Sequence, residues 1–362
     1  MKKIIFLFLI IFVSSLNAQI IVNDTIKTEK STKLQLGPLF NSDYTLNFSV
    51  LANLKALLKD RSTNPANHWG MVKYIDSAGK QIEIPIKVKV RGNFRRLSEN
   101  CTFPPLLLDF DIKKNNKTIF KQQDKLKLVT HCLKNDYIME EYLVYKIYNL
   151  ITENSFKARF ANVTYQDSLG KRETETRRAF LIEDEDDLAK RIGRKVYKNV
   201  RLRQNQLDTI QMATVSVFEY LIGNTDWSVP FLHNIKILNA ESKMPIPVPY
   251  DFDHSGIVNA RYASPAAELV EIVSVKQRLY RGFTYSPGVF QKVFDNFKSV
   301  RPQIIALYKD NKNLEPSYIK YVLKYLDDFY KTIDNPKSVA RDFVGQGLKN
   351  MQAGGVQIKG LK

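Results

Sequence analysis

The sequence predicts an α+β protein with two lobes. Alternating, strand-like patterns dominate up to about residue 183, and helical spacing dominates after Asp253. A short hairpin rich in polar residues lies near the join between the two regions. Strands followed by helices, with no internal repeat, are typical of the α+β class.

The first 18 residues have the pattern of a secretory signal peptide. Two lysines precede an apolar run from Ile4 to Val13, and a short segment of small and polar residues follows it. A run of about ten apolar residues is too short to span a bilayer. We therefore expect export to the periplasm, the cell surface or the medium, with no transmembrane span.

The chain of 362 residues carries a net charge of +18 and is 44% hydrophobic, which is enough for a substantial core. The basic balance favours anionic partners such as nucleotides or acidic polymers, or serves only solubility. No groove-reading motif accompanies the basic runs, so nucleic acid is not expected.

The strand-rich lobe is predicted over residues 43–183, after a loose arm at 19–42. Asn135 or Asp136 is expected to cap its helix, in which Glu140 and Glu141 lie in the first two turns; carboxylates there favour the helix dipole without any further role. The expected strands cover residues 44–50, 71–76, 81–91, 103–110, 125–130, 161–167 and 178–183, and the expected helices cover 51–59 and 136–152.

The second lobe is predicted over residues 184–362 and is mostly helical. A buried helix over residues 208–222 ends at Gly223, a typical C-cap residue. The hairpin pairs residues 234–238 with 246–250. Further helices are predicted at 266–274, 287–309, 316–332 and 336–348.

The two cysteines, Cys101 and Cys132, are too few for a four-cysteine zinc site, and they form no C-x-x-C motif. In an oxidising compartment we expect a disulfide between them. The alternative is two buried, inert thiols.

The hairpin should gather polar groups at one end. Asp226, His233 and Asn234 precede its first strand, and Asp251 and Asp253 follow its second, so these side chains should converge. Oxygen ligands of this kind suit magnesium, although solvated turn carboxylates would give the same pattern. Pro245, Pro247 and Pro249 alternate along the second strand and predict an unpaired outer edge.

A glycine turn follows the strand at residues 82–91. Glycine lets a ligand approach the backbone, and the arginines around Gly92, which are Arg91, Arg95 and Arg96, suit phosphate. A simple turn is the alternative.

A series of short motifs spans about residues 84–259: Val90-Arg-Gly-Asn93, Lys127-Leu-Val-Thr-His131, Arg178-Ala-Phe-Leu-Ile-Glu183, Leu221-Ile-Gly-Asn-Thr-Asp-Trp227, His233-Asn234 and Val248-Pro-Tyr-Asp-Phe-Asp253. With its motifs in this order and spacing, the chain resembles the spore-coat CotH kinase family of secreted atypical protein kinases.

The resemblance implies a two-lobed, atypical protein-kinase-like fold and an ATP- and Mg²⁺-dependent phosphotransferase that acts on protein Ser/Thr hydroxyls. Asp226 resembles the catalytic aspartate, and Asn234 and Asp251 resemble the metal-binding pair, with Asp253 as a further metal candidate. The strand at residues 180–183 would meet the adenine. The residues implied to bind the nucleotide are Arg91, Gly92, Asn93, Arg95, Lys127, Glu140 and Glu183.

The family usually has a phosphate-gripping lysine on the strand after the glycine turn, and residues 101–110 contain none. Lys127, Arg95 or Arg96 could replace it. Otherwise the chain is a non-catalytic, pseudokinase-like module that binds an acidic polymer or an envelope component. A hydrolase using Asp251 and Asp253 is a third possibility.

Overall fold

Seven strands close into a barrel in the computed structural model, which describes residues 36–133 and 137–354. The strand order is β1-β2-β3-β4-β5-β7-β6, and all neighbours are antiparallel except β1 and β6. The barrel strands are β1 (Leu46–Ala52), β2 (His68–Ile75), β3 (Gln81–Val90), β4 (Leu106–Phe110), β5 (Lys125–Val129), β6 (Ala158–Asp167) and β7 (Glu175–Ile182).

Period-two alternation fills the barrel interior. On β3, Ile84, Ile86, Val88 and Val90 are buried, whereas the residues between them are exposed or half-buried. Phe120, on the connection between β4 and β5, packs inside against three other aromatic rings. The barrel therefore has a side-chain core and not a channel.

The expectation of a two-lobed, kinase-like fold is wrong. The chain forms a closed barrel because β1 pairs in parallel with β6, from Leu46 opposite Ala161 to Ala52 opposite Asp167. The helices do not form a separate lobe, since a single hydrophobic core joins them to β6 and β7 on the barrel wall. The described residues belong to one compact unit.

The helices are α1 (Leu54–Lys59), α2 (Ile112–Asn115), α3 (Ile138–Ile151), α4 (Glu185–Arg191), α5 (Thr209–Ile222), α6 (Pro287–Ser299), α7 (Arg301–Lys309), α8 (Pro316–Asp334), α9 (Pro336–Val339) and α10 (Gln346–Gln352). A 3₁₀ turn covers Gln204–Gln206 and a π-helical turn covers Ala340–Gly345.

The predicted helix over residues 208–222 is confirmed as α5, which is capped by Asp208 and ends at Gly223 with φ 67°. The predicted helix over 287–309 is divided into α6 and α7, with Pro302 in the first turn of the second. The predicted helix at 266–274 is wrong: the segment forms irregular turns that leave Val270 and Val273 exposed. Leu269 and Ile272 of the same segment are buried, so the segment packs against the core without forming a helix.

The predicted hairpin is confirmed. β9 (Ile235–Ala240) pairs with β10 (Lys243–Pro249), and the two-residue strand β8 (Lys195–Val196) completes a three-stranded sheet in the order β10-β9-β8. β10 pairs only with β9 among the described strands, which confirms its free outer edge. That edge lacks N–H donors at Pro245, Pro247 and Pro249.

The predicted disulfide between Cys101 and Cys132 is present, with the two Cα atoms 4.8 Å apart. The predicted signal peptide, residues 19–35 of the arm, and the cap residues Asn135 and Asp136 lie outside the described residues. Within the described part of the chain, no helix combines the length and the apolar character needed to cross a membrane.

Candidate functional site

A cavity of about 330 Å³ opens where the end of the hairpin meets the loop after β3. This loop (residues 91–105) is called the arginine loop below. The predicted site residues that line the cavity are Arg91, Gly92, Asn93, Arg95, Asp226, Asn234, Asp251 and Asp253. Residues distant in sequence thus supply one polar pocket, of a size that holds small ligands.

The arginine loop is held by anchors at its far end. The disulfide joins Cys101 to Cys132, on the segment that follows β5, and Phe103 N–H donates to the carbonyl of Cys132 at 3.0 Å. The Arg61 guanidinium donates to the carbonyls of Arg96 at 2.9 Å and Cys101 at 3.0 Å. These contacts fix where the loop presents its cations.

Arg95 joins three carboxylates from two other parts of the chain. Its guanidinium donates to Glu141 Oε2 at 3.1 Å and to Asp251 Oδ1 at 2.9 Å, and its Nε lies 3.4 Å from Asp253 Oδ2. Burial by itself would lower the pKa of Arg95, but the charges of Asp253 and Glu141 outweigh it and raise that pKa well above the ordinary value. The guanidinium therefore stays cationic.

Glu141 is the buried acidic residue of α3, with 1% of its side chain exposed. Burial raises the pKa of Glu141 to about 8, although Arg95 opposes the rise. The family resemblance implies that Glu140 of this helix binds the nucleotide, but Glu140 is half-buried and does not line the cavity. Helical spacing predicts the burial of Glu141, because this residue shares a helix face with the buried Ile138 and Tyr145.

Asp226 is held from both sides. His233 Nε2 lies 2.9 Å from its Oδ1, and Asn234 Nδ2 donates to its Oδ2 at 3.0 Å and to its carbonyl at 2.8 Å. Its N–H donates to Asn224 Oδ1 at 3.0 Å. Burial would raise the pKa of Asp226, but the hydrogen bond and charge of His233 outweigh this and leave it lowered. Asp226 is therefore an ionised carboxylate of fixed orientation.

Asn234 and Asp251 have left-handed backbone conformations, with φ values of 51° and 65°. Few non-glycine residues adopt such angles, and those that do concentrate at functional sites. Two hydrogen bonds hold them: Tyr250 N–H donates to the Asn234 carbonyl, and Asp251 N–H donates to the Tyr145 hydroxyl, each at 3.0 Å. The strained backbone turns both side chains to the cavity.

The donor chemistry of Asn234, Asp251 and Asp253 fits a magnesium ion. No hydrogen bond among the described residues uses Asn234 Oδ1, Asp251 Oδ2 or Asp253 Oδ1. Across residues 36–133 and 137–354, no three His, Cys, Asp or Glu side chains form a metal-binding group. Magnesium does not require one, since one or two carboxylates together with water and substrate oxygens suffice.

Burial and the neighbouring charge of Asp253 raise the pKa of Asp251, whereas Arg95 and Arg91 lower it. The side chain of Asp251 is 41% exposed to the cavity, so solvent screens these effects. A cation bound beside it would favour the ionised form.

The side chain of Arg91 makes no hydrogen bond or ion pair within the described part of the chain, although it lines the cavity beside Arg95. Burial lowers the pKa of Arg91, and the charge of Asp251 partly offsets this. A half-buried guanidinium with unused donors is suited to a planar, doubly hydrogen-bonded anion. Gly92 follows it with φ 92°, a conformation that requires glycine.

Lys127 and Glu183 do not line this cavity. Lys127 borders a separate gap of about 10 Å³ behind Arg91, and its Nζ lies 3.8 Å from Glu185 Oε2. Glu183 accepts from Arg191 Nε at 2.8 Å and from the Lys157 N–H at 3.0 Å, away from the hairpin.

The expectation that residues 180–183 meet an adenine does not fit the barrel. β7 pairs with β5 on one side and with β6 on the other, with Ile182 opposite both Lys127 and Ala158. Its backbone groups are used in the sheet and cannot hydrogen-bond a base. Residues 101–110 end in β4, whose buried Leu106, Leu108 and Phe110 fill the barrel.

Sequence comparison finds no family model that matches the chain and no curated protein with significant similarity to it. The resemblance to the CotH kinase family therefore rests on the motifs, and its functional content stays a prediction.

Proposed function

We propose that this chain is a magnesium-dependent phosphotransferase, which moves the terminal phosphoryl group of a triphosphate such as ATP to a hydroxyl group, with protein Ser/Thr side chains as the expected acceptors. The observation that carries the proposal is one cavity whose lining combines two guanidinium groups, those of Arg91 and Arg95, with the oxygen-bearing side chains of Asp226, Asn234 and Asp251.

Asp226 is the catalytic carboxylate in this proposal. A hydroxyl bound in the cavity donates a hydrogen bond to the ionised carboxylate, which orients the oxygen and accepts its proton as the new bond forms. His233 and Asn234 each contact one Asp226 oxygen, so the carboxylate cannot rotate away. Positioning of this kind supplies much of the rate in phosphoryl transfer.

Asn234, Asp251 and Asp253 would hold the magnesium ion. When bound, the ion supplies positive charge that neutralises the phosphate oxygens. Asp251 Oδ2 and Asp253 Oδ1 are not used by the contacts with Arg95, nor by any other hydrogen bond among the described residues. These two oxygens are therefore available to a cation.

Arg91 and Arg95 would bind the phosphates in place of the absent lysine. Arg95 is oriented by Glu141, and the anchored arginine loop sets the position of both. A guanidinium fork binds two phosphate oxygens at once, where an ammonium acts as a point charge.

The test is phosphate transfer from radiolabelled ATP by the oxidised full-length protein with Mg²⁺, measured as autophosphorylation and as transfer to a mixed Ser/Thr peptide pool. Asp226→Asn and Asp251→Asn should each lower the rate at least about 100-fold, because they remove the proton acceptor and a metal ligand. The matched control is Asp295→Asn, on the exposed face of α6.

Equal rates in all four proteins would refute the proposed roles. A wild type that neither transfers phosphate nor binds Mg-ATP in a calorimetric titration would refute the function.

A second candidate is supported by a lysine-rich surface. The lysine cap, which comprises the connection after β4 and the first residue of β5 (residues 111–125), exposes Lys113, Lys114, Lys117, Lys121 and Lys125. Of these five lysines, only Lys114 forms an ion pair with a described residue, and its Nζ lies 3.9 Å from Asp111. Buried Phe120 fixes the cap to the barrel. A rigid group of unpaired lysines suits an acidic polymer.

This binding function predicts that the protein binds heparin, used as a model acidic polymer, with an affinity that falls steeply with salt. Lys113→Glu together with Lys117→Glu should weaken binding about tenfold or more. Lys312→Glu together with Lys320→Glu, at two exposed positions outside the cap, is the control with the same charge change. Affinity independent of the cap charges would exclude the cap as the binding surface.

A further inference from the structure

We infer that the site recognises its phosphoryl donor through the phosphates and does not read the base, so that inorganic triphosphate serves as well as ATP. This inference rests on the proposed function and adds the class of donor. It follows from what the cavity walls can and cannot hydrogen-bond.

The cavity offers groups that bind phosphate. Arg91 has unused guanidinium donors, and Arg95 lies beside it. Asn93 lines the same wall, next to the glycine whose backbone is open on its outer side. Charge-assisted hydrogen bonds to phosphate are stronger than those to neutral groups. Most of the available binding energy is therefore directed at the polyphosphate.

The space behind Arg91 cannot take a base. The gap there is about 10 Å³, the volume of roughly one water molecule. Lys127 and Tyr250 line it, and Lys127 Nζ lies 3.8 Å from Glu185. Lys236 lies 2.7 Å from the same carboxylate and 5.5 Å from the centre of the Tyr250 ring. A purine there would have to break a network of ion pairs.

The neighbouring strand edges cannot read a base either. β7 is paired on both sides, so its amide and carbonyl groups are already used. The outer edge of β10 is free, but Pro245, Pro247 and Pro249 remove its N–H donors. Base discrimination needs donors and acceptors matched to the base edge. β7 has neither to spare, and the outer edge of β10 keeps carbonyl acceptors without N–H donors at the three prolines.

The exposed rings at the cavity mouth do not change this conclusion. Phe94 and Phe231 are 40% and 45% exposed, and Phe94 already packs edge-on against His254 with ring centroids 5.5 Å apart. Stacking on such rings is similar for every base.

The transfer balances for either donor. The acceptor oxygen forms a bond to the terminal phosphorus while the bond from that phosphorus to the bridging oxygen breaks. The bridging oxygen keeps the electron pair and leaves as a diphosphate, nucleoside-linked or inorganic. The acceptor proton passes to Asp226 and then to water.

The experiment measures dissociation constants by calorimetry for Mg-ATP, Mg-GTP, Mg-CTP and Mg-tripolyphosphate, with the oxidised full-length protein. All four should agree within about fivefold. Arg91→Gln should weaken all four equally, by about tenfold or more, since each loses the same charge-assisted contacts. Lys87→Gln, on the outer face of β3, is the control and should change none of them.

A preference for ATP above about fivefold, over another nucleotide or over tripolyphosphate, would overturn the inference and leave the proposed function standing. If none of the four ligands binds, both fail. Similar rates from all four donors in the phosphate-transfer assay would support the inference for the reaction.

Discussion

Removal of the Arg95 guanidinium should lower the free energy of unfolding substantially. Arg95→Met keeps much of the side-chain volume and deletes the only guanidinium that contacts Glu141, Asp251 and Asp253 in the described structure. Glu141 and Asp253 are 1% and 7% exposed. Removing one partner of a buried ion pair costs about 3–5 kcal/mol. Asp251 is 41% exposed and adds about 1 kcal/mol at most.

The loss should depend on pH. The pKa of Glu141 is raised by burial to about 8 in the folded protein, against about 4.3 in an unfolded chain. Protonated Glu141 therefore contributes to the free energy of unfolding in full below about pH 4.3, and this contribution is lost as the pH rises through about 8. Without Arg95 the folded-state pKa rises further, so the deficit of Arg95→Met should be larger at pH 8 than at pH 5.

The measurement is urea unfolding of the oxidised protein at both pH values, followed by circular dichroism. Arg95→Met combined with Glu141→Leu should recover about 2 kcal/mol at pH 8, because the unpaired carboxylate is gone. Arg172→Met is the control, since Arg172 is 43% exposed and lies 3.9 Å from Glu175. A deficit below about 1 kcal/mol at pH 8, or one that grows on acidification, would refute the reasoning.

Three further predictions concern the folded chain. Replacing Cys101 and Cys132 by serine should lower the unfolding free energy by about 3.5 kcal/mol for a sequence separation of 31, and a loss below about 1 kcal/mol would contradict this. Gly223→Ala should lower the melting temperature, because an added Cβ meets the Tyr325 hydroxyl and the backbone is left-handed; Tyr325→Phe should relieve part of the loss. Phe120→Ala should cost about 3–5 kcal/mol in urea unfolding, and a cost near zero would show that the barrel interior repacks.

Local patterns carried most of the correct predictions. The hairpin was visible because turn residues and alternating apolar residues lie within about twenty positions, and α5 because its cap and its glycine stop flank an apolar run. Convergence at the hairpin end followed from the same local geometry, which is why Asp226, Asn234 and Asp251 were found together.

The misses involve long-range structure. The residues near β1 do not predict its parallel pairing with β6, because the pairing depends on strand order and not on local residues. The barrel in turn removed the expected adenine site by using both edges of β7. The Arg95 contacts were equally hidden, since they join the arginine loop to α3 and to the residues after β10.

Closure by β1 and β6 has a consequence for synthesis of the chain. β1 leaves the ribosome before the strand it pairs with, because that strand ends at Asp167, more than a hundred residues after the end of β1. One edge of β1 must wait without its partner during that interval, and unpaired edges can associate with other chains. Contacts between distant residues also slow folding. The rate of translation between β1 and β6, and chaperone binding during that interval, should therefore affect the yield of this protein.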